Sequence, residues 1–323
     1  MESVEELKVL VTGITGFLGS NLAHYFLSKG YEIHSLIRRD SNLWRVSDVM
    51  RDINFHMSDL LAAEQLRFTV KNIKPDVIIH TAGIIKGFSE IDQEDVMASN
   101  FETTLNLVNS CIDLDYDSFI NTGSAYEYGN KKGNISENEK TEPVDLYGIT
   151  KMAATAYSSM MARKFDKPII TLRIFTPYGY YDLLHRLIPS TILKLLKGDQ
   201  MNVMTPSSRR DFIFVDDMCR AYEAVMKKST KIEPGTVLNV GSGKCQTVRE
   251  VVQIISNLMN KENTVEGIQE GDMGNGIKEL CSDNTEFMKK TGWKNEVDLS
   301  EGLTKTIEWF RENLSLYPGS LKL

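Results

Sequence analysis

Short apolar runs and amphipathic stretches alternate along the first half of the chain. Leu7–Val11 (LKVLV) is an apolar run closed by Gly13, the pattern of a strand buried on both faces. From Phe17 to Lys29, Leu18, Leu22, Tyr25 and Phe26 recur at helical spacing, and Gly30 stops the helix. Glu32–Ile37, Asp76–His80, Asp117–Thr122 and Pro168–Ile174 read as further strands, with Lys74-Pro75 breaking the chain before Asp76. Strands spaced by helices of about 10–15 residues predict βαβ units, hence an α/β, doubly wound, mostly parallel sheet covered on both faces. The last third changes character. Pro189–Lys197, Val215–Lys228, Thr247–Met259 and Leu299–Asn313 read as helices around a short strand-like piece, Thr236–Val240. This predicts a smaller, mostly helical lobe. The division is placed at 1–176 and 177–323, with the chain crossing back to the sheet.

The strongest local signal is Thr12-Gly13-Ile14-Thr15-Gly16-Phe17-Leu18-Gly19, between the first strand and the first helix. Gly13 suits the tight turn, Gly16 a close approach to a pyrophosphate, and Gly19 close helix packing. The helix N-terminus offers free N–H groups to the anion. The expected unit is a Rossmann-type NAD(P)-binding domain. After the second strand comes Arg38-Arg39-Asp40. Two guanidiniums suit a 2′-phosphate, which favours NADP(H); Asp40 keeps NAD(H) as the alternative. Asp59, following a third strand at Phe55-His56-Met57, is placed to accept from an adenine amino group.

Composition narrows the class. The 323 residues carry a net charge of −7, against a dedicated nucleic-acid binder. No apolar run reaches the roughly 18 residues of a membrane span, and MESVEELKV lacks a signal-peptide core, so a cytoplasmic protein is expected. Cys111, Cys219, Cys245 and Cys281 are scattered without CxxC or metal-ligand spacing. They read as incidental thiols, with neither a disulfide framework nor a metal site.

Tyr147-Gly148-Ile149-Thr150-Lys151 puts a phenol and an ammonium on one helix face, about 5–6 Å apart. The ammonium is expected to favour phenolate, which equips the tyrosine to exchange a proton with a sugar hydroxyl. With this motif the chain resembles the extended short-chain dehydrogenase/reductase family, the NAD-dependent epimerases, dehydratases and reductases of nucleotide sugars. TGITGFLG, His80–Gly83 (HTAG), Asn100, Thr122–Gly129 (TGSAYEYG), YGITK and Leu172–Gly179 (LRIFTPYG) lie in the family's order. Arg186–Ile192 (RLIPSTI), Arg209–Asp217 (RRDFIFVDD) and the late Thr291–Phe310 region extend the likeness over nearly the whole length.

The resemblance implies roles. Tyr147 would be the acid/base, Lys151 its partner and a ribose ligand, and Ser124 the hydroxyl on the reacting O4, with Thr122 its neighbour. Cofactor contacts are implied at Gly13, Thr15, Gly16, Phe17, Leu18, Gly19, Arg38, Arg39, Asp59, Leu60, Thr81, Ala82, Gly83 and Asn100, besides Tyr147 and Lys151. Ser124, Ala125, Tyr126, Thr176, Leu187, Ile188, Pro189 and Arg210 would line the substrate side, Arg210 on the diphosphate. Thr176 departs from the asparagine common at that position, and the family's late diphosphate arginine has no match in Glu270–Lys278. His80 reads as structural.

The reaction can be sorted partly. A 4,6-dehydratase needs an acidic pair directly after the catalytic hydroxyl; here stand Ala125 and Tyr126, with Glu127 one place late and, on an extended segment, on the opposite face. The expected activity is hydride transfer at C4 of an NDP-hexose, first an NADPH-dependent reductase of an NDP-4-keto-6-deoxyhexose. Second comes a 4-epimerase retaining NAD; a 4-dehydrogenase or dehydratase stands behind both. A non-catalytic dinucleotide binder would have lost Tyr147 or Lys151, and a general Rossmann dehydrogenase leaves RLIP and RRDFIFVDD unexplained. Helices at Glu94–Ile112 and Tyr147–Phe165 carry apolar residues on several faces (Leu105, Leu107, Val108, Cys111; Met152, Tyr157, Met160, Met161), which predicts a homodimer.

Overall fold

The computed structural model describes residues 7–84, 93–199, 203, 205–261 and 276–318. The chain runs β1 (Lys8–Thr12), α1 (Phe17–Ser28), β2 (Glu32–Ile37), β3 (Ile53–Met57), α2 (Ala63–Ile73), β4 (Val77–His80), α3 (Gln93–Met97), α4 (Thr103–Cys111), β5 (Ser118–Ser124) and β6 (Asn134–Ile135). Then follow α5 (Leu146–Phe165), β7 (Ile169–Ile174), β8 (Thr176–Tyr178), α6 (Leu187–Lys197), β9 (Arg209–Phe214), α7 (Val215–Lys228) and β10 (Val237–Val240). The last elements are β11 (Cys245–Thr247), α8 (Val248–Leu258), β12 (Glu279–Ser282), α9 (Thr285–Thr291) and α10 (Leu299–Asn313).

Seven parallel strands form one sheet in the order β10-β7-β5-β4-β1-β2-β3. Alternation along β1 explains the doubly covered sheet. Val9 and Val11 enter the core under α1 and α7, while Leu10 enters the opposite core with Leu66 and Val70 of α2 and Leu107 and Val108 of α4. The chain winds outward through β2 and β3, then returns to β4 on the other side of β1. That reversal opens a crevice at the carboxyl ends of β1 and β4, where doubly wound sheets bind ligands. Helices α3 and α4 are joined by one π turn over Ala98–Glu102, an extra residue that turns Asn100 inward.

The last third of the chain holds more strand than its sequence pattern predicts. β11, β9, β12 and β6 form a second sheet in that order, and β8 pairs with β9. β6, β8 and β11 are two or three residues long, too short for an alternation to register. β10 joins the first sheet beside β7, and α7 lies against α1.

The cysteine reading needs correction. Cys245 on β11 and Cys281 on β12 are joined by a disulfide, 36 residues apart in sequence; Cys111 and Cys219 are buried free thiols. The pairing depends on β9 gathering its two neighbours, which no local spacing reveals. The helix reading needs partial correction too. Leu107, Val108, Cys111 and Met161 are buried within the chain's own core, and of the eight apolar residues named above only Met160 is exposed. Among the described residues no helix is long and apolar enough to cross a membrane.

Candidate active site

The first cleft, of about 250 Å³, lies over the crevice between β1 and β4. Gly13, Thr15, Gly16, Arg38, Asp59, Leu60, Thr81, Ala82 and Gly83 line it, together with Leu36, Ser41 and Ser58, which the sequence reading missed. Gly13 has φ +74°, and a Cβ there would lie 2.6 Å from the Ala82 nitrogen. A Cβ on Gly19 would strike the Gly13 carbonyl, so loop and helix touch backbone to backbone. No side chain caps the N-terminus of α1 at Gly16, so its amides remain available to an anion. This glycine cradle with an uncapped helix end fits a dinucleotide pyrophosphate. Phe17 and Leu18 pack instead against the core under α1.

Arg38 also borders an adjoining outer groove with Arg39, Asp40 and Asp59. Asp40 pairs with Arg38 at 3.4 Å on the surface. Asp59 accepts from the Leu61 amide at 2.9 Å. Asn100 does not line the cleft. From its π turn it accepts from the Ile84 amide at 2.7 Å and donates to the Ile84 carbonyl and Thr150 Oγ1, both at 3.1 Å. It thereby fixes the strand-end segment His80–Gly83 against α5.

His80 is a structural post. Thr104 Oγ1 donates to the Asn100 carbonyl, so it must accept from His80 Nε2, at 3.0 Å. His80 Nδ1 then accepts from Thr12 Oγ1 at 2.7 Å. Burial, with the Lys151 ammonium nearby, pushes this imidazole down to about 3, so it is neutral. The ring links β1, the origin of the glycine loop, to α4.

Tyr147 and Lys151 lie one turn apart on α5, whose first turn is capped by Asp145 accepting from the Gly148 amide at 2.7 Å. Lys151 is buried and donates to the Thr122 carbonyl at 3.0 Å. Burial pushes it down to about 8. The expected pull of this ammonium on the phenol is not what dominates here. Burial drives Tyr147 well above its ordinary value; the Ser124 hydroxyl and the Arg186 guanidinium oppose it. Ser124 ends β5 and is buried. Thr122 is engaged elsewhere, its hydroxyl 2.7 Å from that of Tyr222.

The residues after Ser124 form a 3-10 turn rather than an extended segment. Glu127 therefore points inward, fully buried. It accepts from the Ser124 amide and Arg173 Nε at 2.8 Å and from Thr155 Oγ1 at 2.9 Å. Both of its oxygens are thereby engaged in the interior. Ala125 is buried, and the Tyr126 ring stands edge-on to Tyr147 with centroids 5.6 Å apart.

A second cleft, of about 370 Å³, is walled by Tyr126, Thr176, Leu187, Ile188 and Arg210. Pro189 is buried in α6 and does not line it. Among the described residues Arg210 meets no carboxylate; its guanidinium donates to the carbonyls of Arg209 (2.8 Å), Ile277 (2.7 Å) and Lys278 (3.1 Å). Sequence reasoning missed His185, Arg186, Ser190 and Lys194 on this wall. Arg186 pairs with the buried Asp182 at 2.9 Å and lies 5.7 Å from the centre of the Phe17 ring. Within Glu270–Lys278, residues 270–275 lie outside the described residues.

Comparison with known proteins identifies the family and the fold. The sequence signature of the NAD dependent epimerase/dehydratase family matches residues 9–241. The dTDP-D-glucose 4,6-dehydratase of Mus musculus is 25% identical, over 95% of this chain and 89% of that protein. Two solved structures share the fold. DesIV, the dTDP-glucose 4,6-dehydratase of Streptomyces venezuelae solved with NAD, has a TM-score of 0.87 at 21% identity, covering 98% of this chain and 100% of its own. UDP-glucose 4-epimerase from Thermotoga maritima, solved with UDP-glucose, has a TM-score of 0.86 at 24% identity, covering 95% and 100%. The chain belongs to the NAD dependent epimerase/dehydratase family of enzymes.

Proposed function

We propose that the protein is an NADPH-dependent reductase acting at C4 of a nucleoside-diphosphate 4-keto-6-deoxyhexose. The observation that carries this reading is the single acid/base, Tyr147, whose ring stands edge-on to Tyr126 on the wall of the second cleft. Tyr147 stands beside Ser124, while Ala125, Tyr126 and the ion-paired Glu127 provide no second carboxyl for eliminating water. One proton donor suits one ketone-to-alcohol step at one carbon. The raised Tyr147 hydroxyl keeps its proton at neutral pH, the form a reduction consumes.

The glycine cradle and the α1 N-terminus would hold the cofactor pyrophosphate, Arg38 and Arg39 a 2′-phosphate, Asp59 the adenine and Lys151 the nicotinamide ribose. The chemistry supplied by a reduced nicotinamide bound there is hydride transfer to a carbonyl carbon. Ser124 would hydrogen-bond O4 and Tyr147 would protonate it. Arg210 would hold the diphosphate, with Thr176, Leu187 and Ile188 along the nucleotide side. A 4-epimerase is the second reading, because the same Ser124, Tyr147 and Lys151 serve reversible C4 oxidation. The solved UDP-glucose 4-epimerase shares the fold. Ile149 and Met160, which share one face of α5, remain 43% exposed, an apolar pair that supports self-association as a homodimer.

The test is incubation of purified protein with NADPH and a panel of nucleoside-diphosphate 4-keto-6-deoxyhexoses. NADPH consumption matched to 4-hydroxy product is expected, about 10²–10⁴-fold slower for Tyr147→Phe at unchanged NADPH affinity. Tightly retained NAD with C4 inversion and no net NADPH use would replace the reductase by the epimerase. A solution mass of one chain at micromolar concentration would remove the dimer.

A further inference from the structure

The grip on Arg210 comes from outside its own strand. Two of the three carbonyls that hold its guanidinium, Ile277 and Lys278, immediately precede β12. The register is continuous with this: the Arg209 amide donates to the Lys278 carbonyl, and Arg210 pairs with Leu280. Where β12 lies therefore decides where Arg210 sits in the second cleft. β12 is in turn bonded covalently to β11 through Cys281 and Cys245.

Taking that cleft as a nucleoside-diphosphate site, as above, we propose that Cys245–Cys281 is a thiol–disulfide exchange site through which dithiol reductants set the hold of Arg210 on the diphosphate. Cys245 is half-buried and Cys281 fully buried, so the Cys245 sulfur is the one an incoming thiolate reaches. Attack there forms a mixed disulfide with Cys245 and breaks the Cys245–Cys281 bond. The electron pair passes to the Cys281 sulfur, which then takes up a proton. Glu279 Oε1, 3.4 Å from that sulfur, accepts from the new S–H. The reductant's second thiolate attacks its own sulfur in the mixed disulfide and releases Cys245, which is protonated in turn. The dithiol is oxidised to a disulfide, and the protein gains two electrons and two protons.

The released strand is loosened rather than freed. Asp211, buried in β9, accepts from the Ser242 amide (2.8 Å) and hydroxyl (2.6 Å) on the β11 side and from the Ser282 amide (3.3 Å) and hydroxyl on the β12 side. Those bonds survive reduction and hold both strands near β9. Cys111 and Cys219 lie buried elsewhere, so a change on reduction reports this pair. The first cleft shares none of these strands and is expected to be indifferent.

The full chain is compared after treatment with oxidised or reduced dithiothreitol, alongside the double variant Cys245→Ser/Cys281→Ser. Affinities for UDP, dTDP, CDP, GDP and NADPH are measured by calorimetry, thiol state by alkylation and mass spectrometry, and amide hydrogen exchange over 205–214 and 276–284. Reduction is expected to weaken the tightest of the four diphosphates on the order of three- to tenfold, the loss of one partly displaced charged contact. It should speed exchange in β9 and β12 and leave NADPH binding unchanged. The double variant should match the reduced protein in either buffer, with NADPH binding certifying its fold. Alkylatable Cys245 and Cys281 after oxidation, or equal affinity and equal exchange in both states, would overturn the proposal. Faster exchange with no diphosphate bound in either state would instead remove the diphosphate reading, and with it the role given to Arg210.

Discussion

The two clefts are made by opposite means. The first is a backbone object: glycine turns, strand ends and an uncapped helix terminus, with Gly13 against Ala82 and Gly19 against Gly13. The second is a side-chain object, whose Arg210 is held by partners far away in sequence. Arg210 hangs on carbonyls 67 and 68 residues later, and the covalent link beside it spans 36. A site of the first kind tolerates little change in shape; one of the second kind can be retuned by moving what holds it.

The largest expected break falls between them. Glu127→Ala would leave the Arg173 guanidinium, itself buried, without its carboxylate under the turn that carries Tyr126. Removing one partner of such a pair costs about 3–5 kcal/mol, to be read as a lowered denaturant midpoint, and both clefts should suffer. An unchanged midpoint would show Glu127 to be uninvolved in stability. Gly13→Ala separates the clefts. A Cβ 2.6 Å from the Ala82 nitrogen at φ +74° imposes strain of roughly 1–3 kcal/mol. NADPH affinity should fall about tenfold to a hundredfold while diphosphate affinity stays, as two calorimetric titrations would reveal.

The smallest effect is one of pH. Lys151 loses its proton in the folded protein as pH rises through about 8. Turnover should decline along an alkaline limb there, with Tyr147 still protonated. Stability should move the other way. The unfolded chain holds this proton more tightly, so between about 8 and the ordinary lysine value of 10.5 the group's contribution to stability rises with pH. Parallel rate and unfolding profiles would expose the crossing, and a limb unchanged in Lys151→Arg would assign it elsewhere.

This difference between the clefts is also why one was easier to read than the other. The glycine loop, β1, α1 and the Tyr147–Lys151 spacing are local patterns, each complete within a dozen residues. Asn100 was legible as a motif, but its service to Ile84 and Thr150 was not, because a π turn aims it. An extended segment would turn Glu127 away from Ser124, whereas the 3-10 turn brings its carboxylate back to the Ser124 amide. The Cys245–Cys281 pair carried no signal, since it depends on strands brought together from distant parts of the chain. The three-residue strands of the second sheet fail for a simpler reason: too few positions alternate.

The late arrival of β10 has a consequence for how the molecule is born. Residues up to Thr176 contain six of the seven strands of the large sheet, yet β7 lacks its outer neighbour until Val237–Val240 has been made. The core under α1 likewise waits for Met218, Tyr222 and Val225 of α7. A nascent chain leaving the ribosome thus holds an open parallel edge and an uncovered apolar face for some 60 residues of synthesis, a few seconds at ordinary elongation rates. A fragment ending near residue 176 would keep that edge permanently and pair it with its own copies.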